Sequence, residues 1–342
     1  MGWRRGIATG LAALVFVVLL VSDIPLGRVV VDGTLNGSVI ALVALGIAVV
    51  YKATGVLNFA QGELGTLPAF VVLALMLNFD LDRTVDPAEV SGLAMVGYLL
   101  VAVAIGIVLG VAINALVIRR LVDASPVISL VATAAVFFLM VGFEAVVFLP
   151  RVRTFPRFID GAPCLESQGG ECVRQLTIFG SLVLWHAIVV VAVLAIAVVL
   201  LTLLFRTPVG VALLAASQEP FAASLSGVSP RAMSMLAWGI AGGLGGVAGV
   251  LGAGVFQQLF PAMVTRDLLV LAFTAAVLGG INSMPGAVVG SILLGMVSSL
   301  TNEAALTFDV TGWVPNPPMA AAFFVLLIVM VVRPRGLLGK EA

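Results

Sequence analysis

Apolar runs follow one another along almost the whole of this chain, parted only by short polar stretches. About ten can be counted by continuity, near 6–21, 37–50, 64–77, 95–118, 127–149, 178–205, 232–255, 268–280, 287–300 and 320–332. In lipid, runs of this kind satisfy their own backbone as helices. A β-barrel would instead alternate apolar and polar residues over segments of about ten. With 61% apolar residues, 10% charged and a mean hydropathy of +1.23, a soluble domain carrying one anchor is excluded. The expected fold is all-α, a polytopic membrane bundle of about eight to ten spans with some short or re-entrant segments. It forms a single transmembrane domain over 1–342, with a large loop at 150–177 and a second at 206–231.

The second and third runs flank a polar stretch, Tyr51 to Gly65, that carries Lys52, Asn58, Gln61 and Glu63. Polar groups facing lipid each cost several kcal/mol. Such a stretch therefore lines water, faces protein or lies at the membrane surface. Both flanking runs are shorter than the ~20 residues of a straight span. Short, glycine-interrupted segments are what transporters use to build a path near the bilayer midplane. An ordinary loop between two tilted helices fits the same spacing.

Lys and Arg in short loops set orientation. With the N-terminus inside and the chain alternating, the pairs Arg4/Arg5, Arg119/Arg120 and Arg333/Arg335 all fall inside, with Lys52, Arg206, Arg231 and Lys340. Arg28, Arg83, Arg151, Arg153, Arg157, Arg174 and Arg266 fall outside. The expectation is N-in, C-in. The first run follows Arg4 and Arg5 but shows no small-x-small cleavage site, so it reads as an uncleaved helix.

The outer loop at 150–177 holds both cysteines, Cys164 and Cys172. In an oxidising compartment a bridge across the intervening glycines is sterically easy. Two unpaired thiols are the other possibility. A lone histidine, His186, leaves no pattern for hydrolytic or metal chemistry, and the two lysines, Lys52 and Lys340, lack a phosphate-loop surrounding. The chain is expected to be no enzyme and to bind no cofactor or metal. His186 reads as a packing or interfacial residue. Glu144 is the acidic residue set well inside an apolar run. It is either a coupling charge or, more in keeping with its place near a span's end, a structural cap between helices.

Glycines recur at four-residue spacing in the spans: Gly106/Gly110, Gly239/Gly243, Gly242/Gly246, Gly245/Gly249 and Gly286/Gly290. Small faces of this kind let helices approach where no hydrophobic force drives association. The inner segment 206–231 carries a short helix of about two turns. Ser217 is expected as its N-cap, with Glu219 complementing its positive end and Pro220 in its first turn. Gly227 stands just past its C-terminus. A short, Ala-rich helix needs something to dock on, and a partner inside the cell is the natural candidate; a surface helix resting on the bundle or the lipid headgroups is the other reading.

Gly55-Val56-Leu57-Asn58-Phe59-Ala60-Gln61-Gly62-Glu63-Leu64-Gly65 resembles the signature of the LivH branch of branched-chain amino acid ABC transporter permeases. The segment 215–231 resembles the family's coupling loop, 277–290 its second glycine-rich motif, and 333–339 its usual ending. The long Cys-containing loop and Pro220 beside Glu219 depart from the family pattern.

The resemblance implies a permease subunit of an importer that carries branched-chain amino acids or related small polar metabolites. Its implied partners are a LivM-type permease, two ATPase subunits that use ATP and Mg, and an extracytoplasmic substrate-binding protein. On this reading Asn58 and Gln61 face the translocation route and Glu63 holds the break in shape. Asn282 in Gly279-Gly280-Ile281-Asn282 echoes Gly55-Val56-Leu57-Asn58 and is its candidate counterpart. Ser217, Glu219, Ala222, Ala223 and Gly227 form the contact with the ATPase. The alternative is a self-sufficient secondary transporter or channel for a small polar solute. Transport by the chain alone, without ATP, discriminates the two.

Overall fold

The computed structural model describes residues 25–80, 83, 92–121, 124–157, 166–168, 171–173, 175–178, 181–308, 316–333 and 336–338. Eleven helices run through these residues: α1 (Leu26–Thr54), α2 (Glu63–Met76), α3 (Gly92–Leu116), α4 (Pro126–Val147), α5 (Trp185–Arg206), α6 (Pro208–Gln218), α7 (Pro220–Leu225), α8 (Pro230–Phe256), α9 (Val270–Gly279), α10 (Met284–Thr307) and α11 (Pro317–Val332). Seven stretches among the described residues, counting α2 with the turn before it, are long and apolar enough to cross a membrane. The first apolar run of the sequence lies outside the described residues.

Four helices open on a Ser, Thr or Asn followed by proline. Ser125, Thr207, Ser229 and Asn316 accept hydrogen bonds from the backbone N–H groups of Ile128, Gly210, Ala232 and Met319. The cap satisfies an N–H that lipid cannot, and the proline occupies a position whose own N–H would be orphaned.

Two helices form the centre. α1 packs along α10 and α8, and α8 packs along α3 and α2. The α3–α8 seam is made of glycine: a methyl at Gly106 would collide with the Gly242 carbonyl, one at Gly110 with the Trp238 carbonyl, and one at Gly246 with the Ala102 carbonyl. The four-residue spacing in the sequence is thus a backbone-to-backbone contact, the close approach that binds helices in lipid.

Three expectations are corrected. α1 has 29 residues and is no short segment. Its polar first half, Arg28, Asp32 and Asn36, lines a cavity and continues the helix. The sixth span starts at Trp185, because Gln175–Ile178 and Ser181–Leu184 pair as an antiparallel hairpin before it. The inner segment holds two helices, α6 and α7. Ser217 is no N-cap: it sits in the last turn of α6 and donates to the Leu214 carbonyl, while Glu219 occupies the cap position of α7 without a side-chain bond. Gly227 does follow α7 in the left-handed conformation, at φ 83°.

The positions expected on one side of the membrane gather at one end of the bundle. Gly55, Arg119, Pro220 and Arg231 line a common cavity, and Arg28 and Arg266 line another at the opposite end of α1. Cys164 lies outside the described residues. Of Cys172 only the backbone is described, in a short strand opposite Ser167.

Candidate translocation site

α1 stops at Gly55, which takes φ 69° and returns its N–H to the Tyr51 carbonyl at 2.7 Å. Val56–Asn58 then run without regular structure, and a single 3₁₀ turn, Phe59–Gln61, leads into α2. This stretch has few backbone bonds of its own, and side chains supply the rest. Asn58 accepts from the Ala60 N–H at 3.0 Å and donates its amide to Gln61 at 3.1 Å. The Gln61 amide in turn donates to the Ala241 carbonyl of α8 at 2.9 Å. It fits there because Gly46 of α1 has no side chain to block it. Thr133 of α4 lies 3.1 Å from the Leu57 carbonyl and accepts from the Phe59 N–H at 3.3 Å. Asn58, Gln61 and Glu63 are all fully buried.

A second break faces the first. α8 ends at Phe256, and Gln257 and Ala262 both adopt positive φ. A π-helical turn, Thr265–Leu269, then opens the short α9. Turns of this kind mark interrupted helices at functional positions. The two breaks are bonded together. Thr265 Oγ1 donates to Glu63 Oε1 at 2.5 Å, and the Val264 N–H donates to Thr66 Oγ1 at 3.2 Å. Glu144, also fully buried, accepts from the Ala262 N–H at 3.2 Å. The expected cap between helices is therefore the role Glu144 has here. The second carboxyl oxygens, Glu63 Oε2 and Glu144 Oε1, are buried without a hydrogen-bond partner among the described residues.

Asn58, Gln61 and Glu63 thus come together, whereas Asn282 is exposed in the turn between α9 and α10. Thr66, Thr133 and Thr265 went unread in the sequence. A signal was present: Gln257, Gln258, Pro261, Thr265, Arg266 and Asp267 interrupt two apolar runs much as the first motif does. His186 is buried with Nε2 3.0 Å from the Leu251 carbonyl, as a packing histidine would be.

From the first break a cavity of about 720 Å³ leads to the segment of α6 and α7, with Gly55 and Val56 on one wall and Ser217, Pro220 and Phe221 on the other. On α7, Ala223 is buried, whereas Glu219, Phe221, Ala222 and Leu225 are exposed.

Residues 29–332 match the family model described as a branched-chain amino acid transport system / permease component. The chain is 27% identical over 313 residues to the high-affinity branched-chain amino acid transport system permease protein LivH of Salmonella typhimurium, covering 90% of this chain and 94% of the relative. It is 25% identical over 324 residues to the probable branched-chain amino acid transport permease protein LivH of Methanocaldococcus jannaschii, covering 94% and 96%. It is also 27% identical over 316 residues to the permease protein BraD of Pseudomonas aeruginosa, covering 91% and 94%. No solved structure matches the chain.

Proposed function

The chain belongs to the branched-chain amino acid transport permease family, and from that premise we propose that it is the LivH-type membrane subunit of an ATP-binding cassette importer. It works with a LivM-type permease, two ATPase subunits that bind ATP and Mg, and an extracytoplasmic binding protein. It lies in the plasma membrane with both termini inside. Its cargo is leucine, isoleucine, valine or a related small solute.

The observation that carries this reading is the cavity joining Gly55 and Val56 to Ser217 and Phe221. It brings the break in the permeation segment to the surface on which an ATPase would dock. α7 presents the apolar Phe221 and Leu225, 76% and 75% exposed, which suit a protein groove. Ser229 caps α8 four residues after Leu225, so a push on α7 passes into a 27-residue helix that holds Gln61 through Ala241. Asn58 and Gln61 open onto the route when that contact breaks, and Glu63 holds the second half-helix in place. Asn282 stands on the inner mouth of the same route. The bridge between Cys164 and Cys172 shapes the outer loop for the binding protein.

The test is reconstitution in liposomes with the partner subunits and labelled leucine. Uptake that requires ATP and the binding protein is the expected result. Leucine transport by this chain alone, without ATP, overturns it in favour of a secondary transporter or channel.

A further inference from the structure

At the end of α1 opposite the inner loop segment lies a second cavity, of about 340 Å³. Five charged side chains line it: Arg28 and Asp32 from α1, Arg266 and Asp267 from the π turn, and Glu303 from α10. In a chain with 10% charged residues this is a marked concentration, and carboxylates outnumber guanidinium groups by three to two. The ion pairs are long. Arg28 Nε lies 3.4 Å from Asp32 and 3.5 Å from Glu303, and Arg266 Nε lies 3.7 Å from Asp267. Arg28 makes both of its pairs through Nε.

The remaining walls are of two kinds. Val39, Ile40, Leu268 and Leu271 supply apolar surface. Ser298 Oγ, on the cavity wall, is buried and has no hydrogen-bond partner among the described residues. A buried hydroxyl in that condition costs about 1–3 kcal/mol until something bonds to it.

We infer that this cavity is a substrate site for the zwitterion of an α-amino acid with an apolar side chain, an inference that rests on the permease reading above. The ligand carboxylate lies on the Arg28 guanidinium and Ser298, its ammonium on Asp32 and Glu303, and its side chain against Ile40 and Leu271. A zwitterion answers groups of both signs at once, whereas a simple anion or cation answers only one kind and an uncharged solute neither. The volume is at the low end of the ~300–1,000 Å³ of small-molecule sites, which suits one amino acid. On the proposed orientation the cavity faces the side where a binding protein releases its cargo.

The test uses the assembled transporter in nanodiscs without its binding protein, and equilibrium binding of labelled leucine. The wild type binds leucine, and unlabelled leucine competes. Leucinamide, without the carboxylate, and 4-methylpentanoate, without the ammonium, do not. Arg28→Gln and Glu303→Gln each weaken binding about tenfold or more, as loss of a charged hydrogen bond predicts. Met319→Trp, at the α11 wall of the cavity, blocks binding while leaving every ion pair intact. If the wild type shows ATP-driven leucine uptake but all three variants bind leucine as it does, the site assignment is wrong and the permease reading stands. Equal competition by leucinamide also overturns the zwitterion assignment. Absence of ATP-driven uptake by the wild type with its binding protein defeats the permease reading itself.

Discussion

Thr265 donates a hydroxyl hydrogen bond to the Glu63 carboxyl at 2.5 Å, and this contact fastens the turn that begins α9 to the first residue of α2. The two residues are separated by most of the chain, yet each sits where a helix has been interrupted.

Thr265→Val keeps the shape of the side chain and removes that donor, leaving a buried carboxylate oxygen with less to bond. The expected loss is about 1–3 kcal/mol. A lower melting temperature of the purified chain in detergent measures it, and Thr265→Ser should recover most of it. Identical melting of Thr265→Val and the wild type would show that the tie between the breaks contributes nothing.

Asn58 and Gln61 are closed off in this conformation, held to each other and to Ala241. Asn58→Cys and Gln61→Cys, in a background whose native cysteines are serine, should resist a small water-soluble thiol reagent in the resting transporter. They should react once nucleotide is bound to the assembled ATPases. Protection in every nucleotide state would remove both residues from the route.

The two alanines of α7 now separate into different experiments. Ala223 is buried against its own chain, so Ala223→Leu should overpack the bundle at about 1–3 kcal/mol and lower its melting temperature. Ala222 is exposed beside Phe221, so Ala222→Trp should leave melting unchanged and reduce co-purification of the ATPase subunit. Glu219→Lys puts a cation at the start of the same helix and should act in the same direction. Normal assembly and substrate-stimulated hydrolysis in Ala222→Trp would reduce α7 to a surface feature.

The bridge between Cys164 and Cys172 is checked by intact mass after alkylation without reductant. Neither thiol should be modified, and loss of the bridge should impair uptake more than melting. Labelling of both thiols would reject it.

Much of the architecture was legible because lipid penalises every unpaired polar group. Asn58, Gln61 and Glu63 between apolar runs had to be bonded somewhere, and the structure bonds them to protein. What escaped was pairing at a distance. The echo of Asn58 in Asn282 follows sequence similarity, whereas the facing break is built from Ala262, Val264 and Thr265, whose contribution is partly backbone N–H and carries no side-chain signature. Hydropathy likewise truncated α1, because Arg28, Asp32 and Asn36 look like loop residues until a cavity is placed beside them. Proline misled in the inner segment. Pro220 marks the start of α7 correctly, but a first helix opened by Thr207 and Pro208 already fills the space before it.

The glycine seam between α3 and α8 also fixes where this protein can be changed. Backbone touching backbone offers no side chain to exchange, so a new specificity cannot be introduced through Gly106, Gly110, Gly242 or Gly246 without parting the helices. Any remodelling toward a different cargo must act on walls that still carry side chains, such as Val39, Ile40 and Leu271, while the seam serves as the fixed datum from which those walls are measured.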